Sequence, residues 1–224
     1  MNKVKITLLS VVASAFLTVT SFAGVSIGIS AGLAGIEAAG TETLKDSSVV
    51  SSHTEQANAI IPSVFFEIAH SNGLGLGVDI ISGSADLAGS THSKTLTANT
   101  SGANDTGTQK ANAEVEGIST VYLIKSFESG LFMKLGMSSA DINSKETLAS
   151  GTTYGNSSVD GYHYGIGFQR TNDSGVFLRA AAEYTDFDSI SLKGTQAGGT
   201  ATSFNVIKAD VDVVMAKFSV GKAF

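Results

Sequence analysis

The sequence predicts an all-β protein, an eight-stranded antiparallel up-and-down transmembrane β-barrel with short turns at one end and four long connections at the other. Three observations predict it. Apolar residues alternate with small or polar ones over eight separate segments. Three short turns and four long polar connections join those segments in strict alternation. The chain is also more apolar than most soluble domains, with 15% charged residues and a positive mean hydropathy, yet after residue 23 no apolar run is long enough for a membrane helix. Strands that alternate in facing average out to moderate hydropathy.

The 224 residues fit one all-β domain after a leader. With no cysteine, a disulfide framework, thiolate catalysis, a Cys-ligated metal and a lipoprotein anchor are excluded. The formal net charge is −6. Residues 1–23 hold Lys3, Lys5 and no acid, so the remainder carries 12 basic against 20 acidic residues. That balance excludes nucleic acid as a partner.

Met1 to Lys5 is a short basic n-region, Ile6 to Val19 an apolar h-region, and Ser21-Phe22-Ala23 a small-residue cleavage site. Residues 1–23 read as a secretory signal peptide, and residues 24–224 as the barrel domain. If retained, the leader is expected as a detached helix.

The first strand is Gly24 to Leu33. Val25, Ile27, Ile29, Ala31 and Leu33 share one face, and Ser26, Gly28, Ser30 and Gly32 the other. The second face is small and scarcely charged, as a narrow lumen requires. A polar connection, Thr41 to Gln56, leads to the second strand, Ala57 to His70, with Ile60, Val64, Phe66 and Ile68 on one face and Glu67 opposite. Pro62 is tolerable there only near a strand edge or bulge. Ser71-Asn72-Gly73 marks a hairpin. In the third strand Leu74, Leu76, Val78 and Ile80 alternate with Gly75, Gly77 and Asp79; a long polar connection, 87–112, follows.

The fourth strand, Ala113 to Phe127, puts Ile118, Tyr122 and Ile124 on the outer face and Ser119 and Lys125 opposite, although Val121 and Leu123 blur the alternation. After the turn at Glu128-Ser129-Gly130, the fifth strand carries Leu131, Met133, Leu135 and Met137 outward and Lys134, Gly136 and Ser138 inward. A third polar connection spans Asn143 to Ser158. The sixth strand, Val159 to Arg170, has Tyr162, Tyr164, Ile166 and Phe168 outward and His163, Gly165, Gly167 and Gln169 inward. Asn172 to Gly175 is the third short turn. The seventh strand, Val176 to about Ser189, places Arg179, Ala181 and Glu183 inward, and a polar stretch, Leu192 to Ser203, leads to the last strand. There Val214, Ala216, Phe218, Val220 and Phe224 face outward and Met215, Lys217, Ser219, Gly221 and Ala223 inward.

A chain that ends on such a strand, with a C-terminal Phe, resembles the bacterial outer-membrane β-barrels. The even strand number and the sorting of loops by length narrow the resemblance to the small eight-stranded kind, the OmpA-like transmembrane domain and its OmpX-like relatives. It covers the whole mature chain and rests on pattern rather than on a motif. Lys222 departs from it, since an apolar residue is usual there; a lysine at a membrane rim can snorkel. The resemblance implies that Phe218, Val220 and Phe224 form the assembly signal read by the barrel-assembly machinery, with periplasmic chaperones on the route. It further implies a monomer in the outer membrane of a Gram-negative cell, with lipid around it, short turns in the periplasm, and no peptidoglycan-binding domain after the last strand. The closing strand is expected to pair antiparallel with Gly24 to Leu33.

The facing gathers scattered charges into one interior. Glu67, Lys125, Lys134 and Arg179 are expected at one depth, with Asp79, His163, Glu183 and Lys217 one or two layers higher. Isolated charges in a narrow lumen are costly, so they are expected to pair, Arg179 with Glu67 or Glu183. Such pairs plug a lumen or, rearranged, gate it. Tyr122, Tyr162, Tyr164, Phe168, Tyr184 and Phe224 are candidates for interfacial girdles. His53, His70 and His92 have no metal-ligand spacing, and Asp186-Phe187-Asp188 is too short a pair for Ca²⁺. No cofactor is expected. Some outer-membrane barrels are enzymes (lipid A deacylases, acyltransferases, aspartate/histidine proteases), but none of their motifs is found; His163 beside Glu183 is the one candidate, and the reading is of a non-enzyme. The expected role is structural or surface interaction, with an extracellular partner reached through the loops. A narrow porin-like pore or small-solute or lipid conduit is the alternative.

Overall fold

A computed structural model describes residues 24–43, 50–86, 113–145, 152–196 and 206–224. The leader expected at residues 1–23 lies outside the described residues. Among the described residues there are ten strands: β1 (Gly24–Thr43), β2 (Val50–Ala69), β3 (Leu74–Ile81), β4 (Ser84–Asp86), β5 (Ala113–Ser126), β6 (Leu131–Ser144), β7 (Thr152–Tyr154), β8 (Ser157–Thr171), β9 (Val176–Gln196) and β10 (Val206–Ala223). They make eight staves. After Gly83 (φ 129), β4 continues the line of β3 along β5. The short β7 continues β8 along β9, in the same register.

Every neighbouring pair of staves is antiparallel, and the first and last close the ring. β1 pairs with β10 from Ser26↔Ala223 to Thr43↔Val206. Closure satisfies the backbone N–H and C=O groups of all staves without an edge, which the interior of a bilayer demands. The ring is staggered. A ladder row that starts at Glu37 passes Asp212, Asp186, Tyr162, Met137, Val121, Val78 and Phe66 and returns to β1 at Ile27, ten residues below its start. For a given strand number such a stagger fixes the tilt and hence the interior width.

The strands run further than the alternation of bulky residues suggests. Thr41 to Thr43 and Val50 to Gln56 are ladder, not connection, as are Leu192 to Gln196 and Ser157-Ser158. Thr and Val are good strand formers, and a ladder does not need an apolar face once it leaves lipid. The β2–β3 ladder stops at Ser63↔Ile81, next to Pro62, which lacks the N–H to extend it. Bulges lie near the loop end. Gly117 and Ile118 of β5 oppose one residue of β6, with Gly117 at φ 62, and Asp188 and Ser189 of β9 oppose Asp210 of β10.

The three short turns share one geometry. In each, the glycine N–H donates to the carbonyl three residues back: Gly73 to His70, Gly130 to Phe127, Gly175 to Asn172, all at 2.9 Å. The glycine carbonyl then accepts from the next stave, from Ser126, Gln169 and Ala223 respectively, all at 2.8 Å. The glycines have φ of 80, 92 and 83°, as the hairpin with a G1 bulge requires. A Cβ on Gly130 would also stand 2.6 Å from the Gln169 carbonyl oxygen. Gly130→Ala is therefore expected to cost about 1–3 kcal/mol, read as a lower urea midpoint for the folded, heat-modifiable band on gels. An unchanged midpoint would contradict the turn assignment.

Candidate functional site

The polarity of the two faces inverts along the barrel axis. Toward the short-turn end, large apolar side chains point outward, Ile29, Leu33, Leu135, Ile166, Phe218 and Leu178 among them, all exposed. Charged and hydroxyl groups point inward there. Toward the loop end the inside is apolar: Ala34, Ile36, Ile61, Val115, Ile118, Ala140, Ile142, Phe187, Val211, Val213 and Met215 form one buried cluster. Outside that cluster stand Glu37, Asp141, Asp160, Asp186, Asp188, Asp210 and Asp212, exposed or half-exposed. The lower half thus has the polarity of a membrane barrel and the upper half that of a water-soluble one. On β10 the outward apolar stretch 214–224 matches the ~9–11 residues a tilted strand needs to cross a bilayer.

The interior of the membrane half holds a charge-balanced network. Arg179 on β9 donates through both terminal nitrogens to Glu67 on β2, at 2.7 and 2.8 Å. Its Nε and Nη2 also reach Gln169 Oε1 on β8, at 3.1 and 2.7 Å. The Tyr122 hydroxyl on β5 donates to Glu67 Oε1 at 2.7 Å. One layer up, Lys134 on β6 donates to Glu183 Oε1 at 2.9 Å, and Lys217 on β10 to Glu183 Oε2 at 3.1 Å. Lys217 also pairs with Asp79 on β3. Three cations thus meet three carboxylates, all buried. His163 Nδ1 shares a hydrogen bond with Thr185 Oγ1 at 3.0 Å, and its Nε2 lies 3.9 Å from Glu183 Oε2. Hydroxyl pairs, Ser30 with Ser219 and Thr120 with Ser138, fill the same level.

Aromatic rings hold the network in place. The Arg179 guanidinium lies 4.7, 5.1 and 5.2 Å from the ring centres of Phe132, Phe65 and Phe177, and the Lys134 ammonium 4.4 Å from that of Tyr122. Each of these rings has a glycine as its ladder partner: Gly28 for Phe65, Gly167 for Phe132, Gly221 for Phe177, and Gly77 and Gly136 for Tyr122. A Cβ on Gly28, Gly167, Gly221 or Gly77 would come within 2.3–2.4 Å of the ring beside it. The missing side chains are the space the rings occupy. A cavity of ≈ 10 Å³, about the room one water needs, lies where the two layers meet, among His163, Glu183, Thr185, Lys217, Phe187 and Met215.

Two expectations about facing are corrected. Lys125 does not enter the lumen. It lies on the outward face at the short-turn rim, where its ammonium donates to the Asn72 carbonyl oxygen at 2.5 Å. Tyr122, with Ile118 and Ile124, faces inward and is no girdle residue. The fourth segment is apolar on both parities, so alternation alone does not orient it. Room opposite Tyr122 and a partner for its hydroxyl do, and the bulge at Gly117 lets Val115 and Ile118 both face in. The other candidates, Glu67, Asp79, Lys134, His163, Arg179, Glu183 and Lys217, stand inside as described. Phe218, Val220 and Phe224 stand outside, and Phe224 ends the seam with its N–H donating to the Val25 carbonyl at 2.8 Å.

Among the described residues no three His, Asp or Glu side chains converge as metal ligands. Away from the membrane half, hydrogen bonding from Lys145, 2.5 Å away, holds the Glu114 carboxyl below its ordinary range.

A closed eight-stave antiparallel ring, girdled by apolar side chains and filled by polar ones, is the fold of an outer-membrane β-barrel. Among solved structures the chain is similar to the outer membrane protein OprG of Pseudomonas aeruginosa, at 13% identity and a TM-score of 0.52, over 90% of this chain and 97% of that one. It is also similar to the outer membrane protease OmpT of Escherichia coli, at 9% identity and a TM-score of 0.52, over 92% of this chain and 99% of the other. No protein-family model matches the sequence, and no curated protein does so significantly.

Glu67→Leu leaves the Arg179 guanidinium buried without its carboxylate, and is expected to lower the unfolding free energy by about 3–5 kcal/mol. Glu67→Leu combined with Arg179→Met removes both charges and is expected to recover part of that loss. Equal stability of the single variant and the parent in urea titrations would contradict the pairing.

Proposed function

We propose that the chain is a sealed outer-membrane barrel, exported by residues 1–23, whose role is structural and surface-interacting rather than conductive or catalytic. The observation that carries this reading is the double filling of the interior. An ion-paired layer occupies the membrane half and an apolar core the half above it. A water path along the axis has to cross both. The upper core also extends the closed ring beyond the membrane half, and the end it builds is the one at which an extracellular partner is expected. The barrel-assembly machinery and its chaperones are the expected partners on the way to the membrane.

The conduit reading needs a continuous wet lumen, and the interior cavity at the layer boundary is about one water in size. The enzymatic reading draws on the likeness to a protease. It needs a catalytic group that lipid or solvent can reach, and the candidate, His163, is 6% exposed.

Single-channel recording in planar bilayers tests the proposal. The expected result is no conductance above the bare-membrane background, with discrete steps appearing only when both layers are opened, as in Lys217→Ala with Phe187→Ala and Val213→Ala. Steady single-channel steps from the unaltered protein would overturn it.

A further inference from the structure

Three outward-facing cations stand around the short-turn rim, and each lies over an aromatic ring of its own strand. Lys125 on β5 lies over the ring of Phe127, two residues on, at 5.8 Å from its centre. Lys222 on β10 lies over the ring of Phe224, again two residues on, at 5.9 Å. On β8 the order is reversed: Arg170 lies back over Phe168, two residues before it, at 4.9 Å. The positions correspond. Lys125, Phe168 and Lys222 each precede the residue whose N–H donates to a turn glycine, Gly73, Gly130 and Gly175 in turn. One cation–aromatic clip thus stands beside each of the three turns.

The lysines are further fixed by backbone. Lys125 donates to the carbonyl of Asn72 and Lys222 to that of Ser174, in each case the residue just before the turn glycine. An ammonium has three donors, so two remain on each. The turns carry acids of their own, Glu128 and Asp173, yet among the described residues no ion pair joins a carboxylate to Lys125, Arg170 or Lys222. The clips sit at the lower margin of the apolar band, with Phe127, Phe168 and Phe224 all exposed. That margin is where lipid headgroups lie, and aromatic rings beside cations suit that level. The opposite margin is lined by carboxylates, so the outward surface is polar in charge along the barrel axis.

From this placement we infer that the short-turn rim binds the phosphates of anionic phospholipids in the periplasmic leaflet, through Lys125, Arg170 and Lys222. Each ring packs against acyl chain near the glycerol, and its cation, steered by the ring and the turn carbonyl, meets phosphate. Carboxylates at the loop end repel the same headgroups, so the two ends fix the depth and the direction of the barrel in the bilayer. Lys222, which departs from the apolar residue usual beside a C-terminal Phe, has a function on this account.

The test is a titration of short-chain phosphatidylglycerol into the full chain refolded in phosphatidylcholine micelles, followed by the amide NMR shifts of Gly73, Gly130 and Gly175. Saturable shifts with phosphatidylglycerol, and none with inorganic phosphate at equal concentration, are expected. K125Q, R170Q and K222Q together are expected to weaken binding about fivefold per cation, the change that about 1 kcal/mol per basic residue near a membrane surface produces. Should the triple variant not give the heat-modifiable folded band, R170Q alone, at an exposed side chain, decides with its own fivefold loss. Unchanged phosphatidylglycerol affinity in the folded variant, or an equal response to inorganic phosphate, overturns the inference.

Discussion

The seam between β1 and β10 is the constraint on which the rest depends. It runs from Val25, bonded to the carbonyl and amide of Phe224, to Thr43 opposite Val206. Closing it with a stagger of ten residues fixes the width of the interior before any side chain is placed. A sheet closed at that width leaves an interior that side chains can fill. Everything inside is a way of filling it. In the membrane half, where lipid takes the outward apolar residues, polar groups are turned inward and must satisfy one another. Three cations and three carboxylates pair there, with Asp79 Oδ1 left without a hydrogen-bond partner, and aromatic rings laid on glycine partners fill what remains.

Above the membrane half the same ring meets water, and the same rule of burial runs the other way. Ile36, Val115, Ile142, Phe187 and Val213 turn in, and acids turn out. A single closed sheet is therefore two barrels of opposite polarity stacked end to end. The level of inversion is set by side chains alone, since the ladder runs through it without a break on β1, β2 and β6. The bulges on β5 and β9 fall above it, where a change of phase costs no lipid contact. The lower limit of the apolar band is set differently, by the turn glycines and the cation–aromatic clips beside them. The two margins together leave one depth at which the barrel sits without exposing apolar surface to water.

How much of this was legible in the sequence depends on what each residue's alternatives were. Where one parity is bulky and the other small or polar, as in Gly24 to Leu33 or Met133 to Ser138, facing follows from period 2. Glu67, Lys134, Arg179, Glu183 and Lys217 were placed inside on that basis, and the closing strand was paired with the first. Where both parities were apolar, period 2 said nothing. In the fourth segment alternation therefore points to the wrong face for Lys125 and Tyr122. The rings around Arg179 were missed because the signal that identifies them is relational: Phe65, Phe132 and Phe177 stand out only once Gly28, Gly167 and Gly221 are known to be their ladder partners. Register is a property of strand pairs, and single-strand periodicity does not contain it. The strand ends are hidden in sequence because polar residues there resemble a connection, although the ladder is made by backbone.

The inversion of polarity about a sealed interior is tested most directly along β10, with single cysteines from 210 to 220 in the cysteine-free chain and a water-soluble maleimide applied to the bilayer-inserted protein. Asp210→Cys and Asp212→Cys are predicted to label rapidly. Val214→Cys, Ala216→Cys, Phe218→Cys and Val220→Cys are predicted to be shielded by lipid, and Val211→Cys, Val213→Cys and Met215→Cys by the core. Rapid labelling at 213 and 215 with shielding at 214 and 216 would contradict the account, because it would mean that water fills the barrel.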